Sequence, residues 1–543
     1  MFKNSRFEAI SIAMGMIYVL YTTPLKLLNP YDTSWVFAKV PASRDLAGHA
    51  IGSMFYSTDI WRHPIGVIGN FGGDIGSSTL YWNSNPIMSL FQKILFQLNL
   101  IPQYFQFIGM QIAIGIVLTG LSAFMLTRKL GGSEWAGLLA SGLTILSVSL
   151  NSKYFNDSLT WFFLFLFAMT LFMSENNGRF LHWGLLIALT ICSQTYYLPF
   201  ILTLFFLATL RTKSWKIIVI RFSTIGLTSL FMYYEIGGFL ISPGNRATSL
   251  ESAKFLSCTL ECLVDSRNFG LLSFGQPNAG TAEGWNYLGF SAILLLLASL
   301  IIMLRRFKQR QFTWNNTFEF KALMLVSIGY FLLSLGPEWR LGNSEIRPPL
   351  YFVTNPFFET FRATGRFAIP LVVLLICVAS CQIDKFNFGK HQLNSVLFCL
   401  LLMTQYLELT RLHEALAFEA NLSVSKSMQY SSELDSLFSS NSGLQVIEAN
   451  SGDIENIPWQ EFSYYGLKEN YDIDSWHFLA RFDVTKAASA QSQSVDNALQ
   501  CKFNKGQIYL INNDIYKQLT DSCKTSLTVH GAQKKWRYFT KIS

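Results

Sequence analysis

Long apolar blocks, nearly free of charge, constrain this 543-residue chain more than any other feature. They lie near residues 9–28, 105–126, 162–173, 200–210, 292–304 and 371–379. A run of roughly 18–25 such residues crosses a bilayer as a helix. Hydrocarbon leaves no unpaired backbone group tolerated, so a span is either a helix or part of a closed barrel, and these blocks lack a barrel's period-2 alternation. Only 14% of the residues are charged, against about 25% in a soluble protein. The expectation is a polytopic α-helical membrane protein.

The net charge of +8 is not a nucleic-acid signal, because of where the basic residues fall. They cluster in short connections: Lys3/Arg6, Arg128/Lys129, Arg179, Arg211/Lys213/Lys216/Arg221, Arg305/Arg306/Lys308/Arg310 and Lys385/Lys390. Placing each of these loops in the cytoplasm satisfies the positive-inside rule at alternate connections. The count is then about eleven spans, with the N-terminus cytoplasmic and the C-terminus outside. The first block, followed by Pro24 and Lys26, reads as an uncleaved first span. Cys192, Cys377, Cys381 and Cys399 fall inside spans, whereas Cys258/Cys262 and Cys501/Cys523 fall outside, where oxidation is permitted. Two disulfides fit those even pairs, although Cys258 and Cys262 would close a small loop and a reduced pair is the alternative.

The chain divides into a transmembrane domain over 1–410 and a soluble extracytoplasmic domain over 411–543. The transmembrane part carries a first external loop over 29–103, far longer than a connector needs. Two stretches of it, 47–56 and 86–98, have the apolar faces of interfacial helices. In the tail, β-like runs at 444–448, 507–511 and 526–529 alternate with helical patterns, which predicts a small α/β unit.

Four constellations carry candidate chemistry. The first is Ala42-Ser-Arg-Asp-Leu-Ala-Gly-His49, just beyond the first span, with Asp59, Arg62, His63 and Asp74 following. On a helix Asp45 and His49 stand four apart and share a face, and a desolvated carboxylate suits a general base; a capped helix start in a solvated loop is the plainer alternative. The second is Asp157, opening a span where an N-cap is equally at home. Gln194-Thr-Tyr-Tyr-Leu-Pro199, the third, reads as an interfacial aromatic belt. The fourth is Phe361-Arg-Ala-Thr-Gly-Arg-Phe367, where Arg362 and Arg366 defy the positive-inside pattern. Guanidinium forks suit a phosphate or pyrophosphate, with headgroup contact as the alternative. Glu283-Gly-Trp-Asn-Tyr-Leu-Gly289 adds a carboxylate and, in Trp285, a face for stacking on a sugar ring.

These segments, with Trp61-Arg-His-Pro-Ile-Gly66, Asn83-Ser-Asn-Pro86 and Phe478-Leu-Ala-Arg-Phe-Asp483, resemble the GT-C class of membrane glycosyltransferases. The nearer resemblance is to an uncharacterised bacterial family of GT-C-like membrane proteins labelled as a domain of unknown function. It implies a GT-C-like bundle in the bacterial inner membrane, with the C-terminal domain periplasmic. It also implies transfer of a sugar from a polyprenyl-phosphate donor to a glycan, lipid or protein acceptor, with inversion. In that scheme Asp45 is the general base, with His49 beside it, and Arg44, Arg62, Asp157, Glu283, Trp285, Arg362 and Arg366 bind substrate. Asn83 and Asn156-Asp157 depart from the acidic residue and the histidine that the resemblance leads one to expect, so a divalent metal ion stays an open requirement. A transporter or flippase of a lipid-linked glycan and a non-catalytic envelope polysaccharide assembly protein are the competing classes. The first of these would want charges at mid-membrane and repeated halves.

Overall fold

The computed structural model describes residues 5–37, 44–70, 77–81, 85–154, 156–174, 180–212, 214–241, 250–266, 270–273, 282–308, 317–341, 344–348, 357–358, 361, 363–381, 391–414, 417, 421, 432–441, 443–447, 459–469, 472–474, 484–533 and 536–541. It is mostly helical and forms two compact units. The first comprises 1–25, 109–230 and 248–418; the second comprises 26–108, 231–247 and 419–543. This division differs from the linear one expected from sequence, because the long first loop belongs to the same unit as the tail and not to the helical bundle.

In the first unit, helices Glu134–Ile145, Phe290–Lys308, Ile369–Ser380 and His391–Glu408 share a core of Leu139, Leu143, Leu295, Val372 and Ile376. Two described helices are long and apolar enough to cross a membrane, Ile108–Lys129 and Trp215–Glu235, with mean hydropathies of 1.9 and 1.5. Six further apolar helices are shorter, so eleven full-length spans are not displayed among the described residues. Two of them have well-defined starts. Pro199 and Pro370 sit in the first turn of Leu198–Leu210 and Ile369–Ser380, and 3₁₀ turns precede both helices. Proline fits there because that N–H has no helical partner. The apolar window of Trp215–Glu235 is only 11% buried, against 61% for Ile108–Lys129. Leu181, Leu227 and Leu325 are also exposed, so several helices turn apolar faces outward. Water disfavours such a surface and lipid does not.

The second unit contains the expected α/β fold. Its five-stranded sheet runs, in spatial order, Asp472–Asp474, Gly443–Ile447, Gln507–Asn512, Trp536–Lys541, Leu527–Gln533. The first three strands are parallel, and helices Trp459–Glu469 and Val484–Leu499 supply the crossovers that parallel pairing requires. The last two strands are antiparallel. Ile447, Tyr509, Ile511 and Phe539 pack in the core beside Cys523, which is bonded to Cys501. In the first unit Cys258 and Cys262 are likewise joined. Cys192, Cys377, Cys381 and Cys399 take part in no disulfide. Helix Trp459–Glu469 packs on helix Arg44–Thr58 of the first loop, and Tyr464 stacks on Tyr104 with ring centroids 5.6 Å apart.

Candidate functional site

In the first unit, four sequence segments that looked separate meet. Asp157–Thr160, Thr195–Tyr197, Ala282–Gly284 and Thr364–Ala368 are all 3₁₀ turns, and each precedes an apolar helix. They are joined by buried polar contacts. Gln194 Nε2 donates to Ser158 Oγ at 2.9 Å, and Tyr197 Oη to the Leu159 carbonyl at 2.7 Å. Asn286 Nδ2 donates to the Gly365 carbonyl at 2.9 Å, while Ser149 Oγ donates to Asn286 Oδ1 at 3.3 Å. Gly365 is required here, because a Cβ would stand 2.6 Å from the Glu283 carbonyl oxygen. The Glu283 segment is held from the far side by Glu408. That carboxylate accepts from Tyr287 Oη at 2.6 Å, Leu271 N at 2.9 Å and Phe290 N at 2.7 Å, the last being the start of helix Phe290–Lys308.

At the centre stands an ion triad. Arg366 Nε donates to Glu283 Oε2 at 2.8 Å and Arg366 Nη2 to Glu283 Oε1. Lys153 Nζ lies 3.1 Å from Glu283 Oε2. The Arg366 guanidinium also sits over the Tyr196 ring, 4.4 Å from its centroid. Burial opposes ionisation of Glu283, but Arg366 and then Lys153 overcome it and hold the carboxyl well below the usual carboxylate range. Side-chain exposures order the triad: Lys153 is 2% exposed, Arg366 12% and Glu283 21%. The cations are inside and the carboxylate is nearest to solvent.

The expected substrate residues Asp157, Glu283, Trp285 and Arg366 therefore lie on the converging turns. Asp157 is fully buried and is the first residue of its turn; Asn156 is the cap. Trp285 is half-buried. Arg362 lies outside the described residues. The belt reading of Gln194–Pro199 needs correction, since Tyr196 and Tyr197 are buried against the site and not spread at an interface. Lys153 was missed by sequence reasoning. Its signal was present, a lysine four residues before Asp157 in a segment the charge rule puts outside.

The second unit holds the first-loop candidates. Asp45 is exposed in the first turn of helix Arg44–Thr58, where a carboxylate complements the helix dipole. His49, one turn on, is buried. The two share a helix but not an environment. The side chain of Arg44 is outside the described residues, as are Asp74 and Asn83. Arg62 folds back onto Asp59, with Nε 2.9 Å from Oδ2 and Nη2 3.1 Å from Oδ1. Asp59 also accepts from Ile60 N at 2.9 Å and Gly69 N at 2.6 Å, so four donors surround one carboxylate. Lys93 is buried nearby, donating to the Ile60 carbonyl at 3.0 Å and facing the rings of Tyr56 and Trp61. Among the described residues no three of His, Cys, Asp and Glu group to hold a metal ion.

The profile of a family described as Domain of unknown function (DUF6311) matches residues 12–410. The chain belongs to that family. No curated protein matches it. Solved structures similar to this DUF6311 chain include the archaeal oligosaccharyltransferase AglB from Archaeoglobus fulgidus in complex with an inhibitory peptide and a dolichol-phosphate. That likeness has 11% identity and a TM-score of 0.45, covering 99% of this chain and 74% of the other. The oligosaccharyltransferase of the same organism in its apo form gives 12% identity and a TM-score of 0.44, covering 95% and 70%. Its complex with zinc and sulfate gives 12% and 0.42, covering 97% and 72%.

Proposed function

We propose that this protein is a GT-C-type glycosyltransferase of the bacterial inner membrane, using a polyprenyl-phosphate-linked sugar as donor. One observation carries the reading: four turns preceding apolar helices converge on a buried lysine, Lys153, and a mostly buried arginine, Arg366, which share the somewhat more exposed Glu283 carboxylate. Helix N-termini already carry partial positive charge. Adding Lys153 and Arg366 there makes a site that favours an anion, and the apolar outward helix faces suit an anion attached to a lipid. In the reaction the acceptor hydroxyl loses its proton to a carboxylate, for which the motif resemblance nominates Asp45. Its oxygen bonds to the anomeric carbon as the bond from that carbon to the phosphate oxygen breaks, with inversion. The departing polyprenyl phosphate gains negative charge, which the Lys153–Arg366 site stabilises. The periplasmic face, the acceptor (glycan, lipid or protein) and any divalent ion belong to the same proposal.

The test uses full-length protein in detergent with a synthetic polyprenyl-phosphate sugar and a hydroxyl acceptor. Release of polyprenyl phosphate coupled to acceptor glycosylation is expected, and absence of release with every acceptor class ends the enzyme reading. Asp45→Asn is expected to remove transfer while leaving expression and donor binding intact. Transfer by that variant at the wild-type rate would remove Asp45 from the mechanism.

A further inference from the structure

We infer that the Glu283 carboxylate is a resident placeholder, occupying the anion position between Arg366 and Lys153 and giving way when a phosphate group binds. This inference rests on the reading of the cluster as a phosphate site. The geometry is that of an anion already in its cradle. Glu283 takes both Nε and Nη2 of Arg366, the bidentate fork that a phosphate would use, and its Oε2 also faces Lys153 Nζ at 3.1 Å. It is also the most exposed member of the triad, so an anion arriving from solvent meets the carboxylate before either cation.

Displacement is an exchange and not a loss. Taking the carboxylate away with nothing in its place would break its ion pairs with Arg366 and Lys153 at a cost, so the exchange needs an incoming anion. A phosphate dianion brings more charge and three acceptor oxygens, so it replaces the carboxylate's bonds and adds to them. The main chain does not need to move, and close packing against Gly365 opposes such movement; rotation of the Glu283 side chain suffices. When the phosphate leaves, the carboxylate returns. Its competition therefore weakens binding of the phosphate product and speeds release.

The experiment titrates farnesyl phosphate into the full-length protein in detergent by isothermal titration calorimetry, with farnesol as the uncharged control. Wild-type protein is expected to bind the phosphate in preference to the alcohol. Lys153→Met, which removes one of the two cations that Glu283 bridges, is expected to weaken binding about tenfold, the scale of one charge acting through a partly solvated site. Glu283→Gln removes the competitor and is expected to tighten binding about tenfold by the same measure. Glu283→Asp, too short to span both cations but still charged, is expected to tighten it by a smaller factor and carries the test if the glutamine variant does not fold. Weakened or unchanged binding in the Glu283 variants, with Lys153→Met still weakening it, overturns the placeholder while leaving the phosphate site standing. No response to any of the substitutions overturns both.

Discussion

The ion clusters of the two units are built inside out with respect to each other. In the Asp59–Arg62 pair the carboxylate is the inner member, 3% exposed, and the cation points outward at 38%. Around Glu283 the cations are innermost and the carboxylate faces out. The Asp59 carboxylate is saturated by four donors, two of them backbone N–H groups that tie the loop at Gly69 to helix Arg44–Thr58. Such a group has nothing left to offer a ligand and reads as a loop staple. Its buried neighbour Lys93 is stabilised by a carbonyl and two aromatic faces, and burial has brought its pKa down to about 8, with Asp59 opposing and Arg62 adding to that shift. An arginine has no such escape by deprotonation. Counting charges makes the two clusters look alike; the burial order of the paired carboxylate and cation sets them apart.

The sharpest way to break this contrast is Arg366→Ala. It removes one of the two inner cations and leaves Glu283 with a single partner, and breaking a buried pair costs about 3–5 kcal/mol. A large fall in thermal stability in detergent is expected, together with loss of farnesyl phosphate binding. Asp59→Ala is expected next, at about 2–4 kcal/mol, because the Ile60 and Gly69 N–H groups lose their acceptor and Arg62 loses one partner. Phosphate binding should be untouched by that change. A loss of binding with Asp59→Ala as deep as with Arg366→Ala would erase the distinction between the clusters.

Legibility in the sequence followed the physics of each signal. The helical class and the strands beginning near 444, 507 and 527 were readable because they depend on local period and β-branched content. The motif segments around Asp157, Glu283 and Arg366 were readable as candidates from a carboxylate opening a span, a carboxylate beside the aromatic Trp285, and arginines that run against the positive-inside pattern. What no local pattern encodes is that these turns share one site, or that Glu283 and Arg366 are each other's partner, since 83 positions separate them in the chain. The grouping of the first loop with the tail was hidden for the same reason. It depends on packing such as Tyr464 against Tyr104, and either ring alone reads as an ordinary aromatic. Lys153 was overlooked because one lysine beside an apolar run reads as a snorkelling end.

Lys93 tests the comparison through pH. Its pKa of about 8 in the folded protein lies below its ordinary value of 10.5. Between those values the unfolded chain holds a proton there that the folded chain lacks, so folding stability rises with pH across the window. Below about 8 the cost of the buried charge is fully present. Thermal melts of wild type and Lys93→Met from pH 7 to pH 10 should therefore show wild type gaining on the variant as pH rises, by on the order of 1–2 kcal/mol. A constant difference would mean that the ammonium stays charged throughout.

The smallest effect is expected from Arg62→Ala. Its guanidinium is over one-third exposed, so solvent screens its pairing with Asp59. Asp59 would keep the Ile60 and Gly69 N–H groups and the nearby Lys93 charge. The expected cost is about 1 kcal/mol, well under that of Asp59→Ala. The inside-out arrangement thus makes the ranking a direct readout: where the carboxylate is the inner member, removing the carboxylate hurts more than removing its cation. Equal losses from Arg62→Ala and Asp59→Ala in thermal melts would show that burial order does not set the energetics of these clusters. Burial order would then not distinguish the Asp59 staple from the proposed Lys153–Glu283–Arg366 anion site.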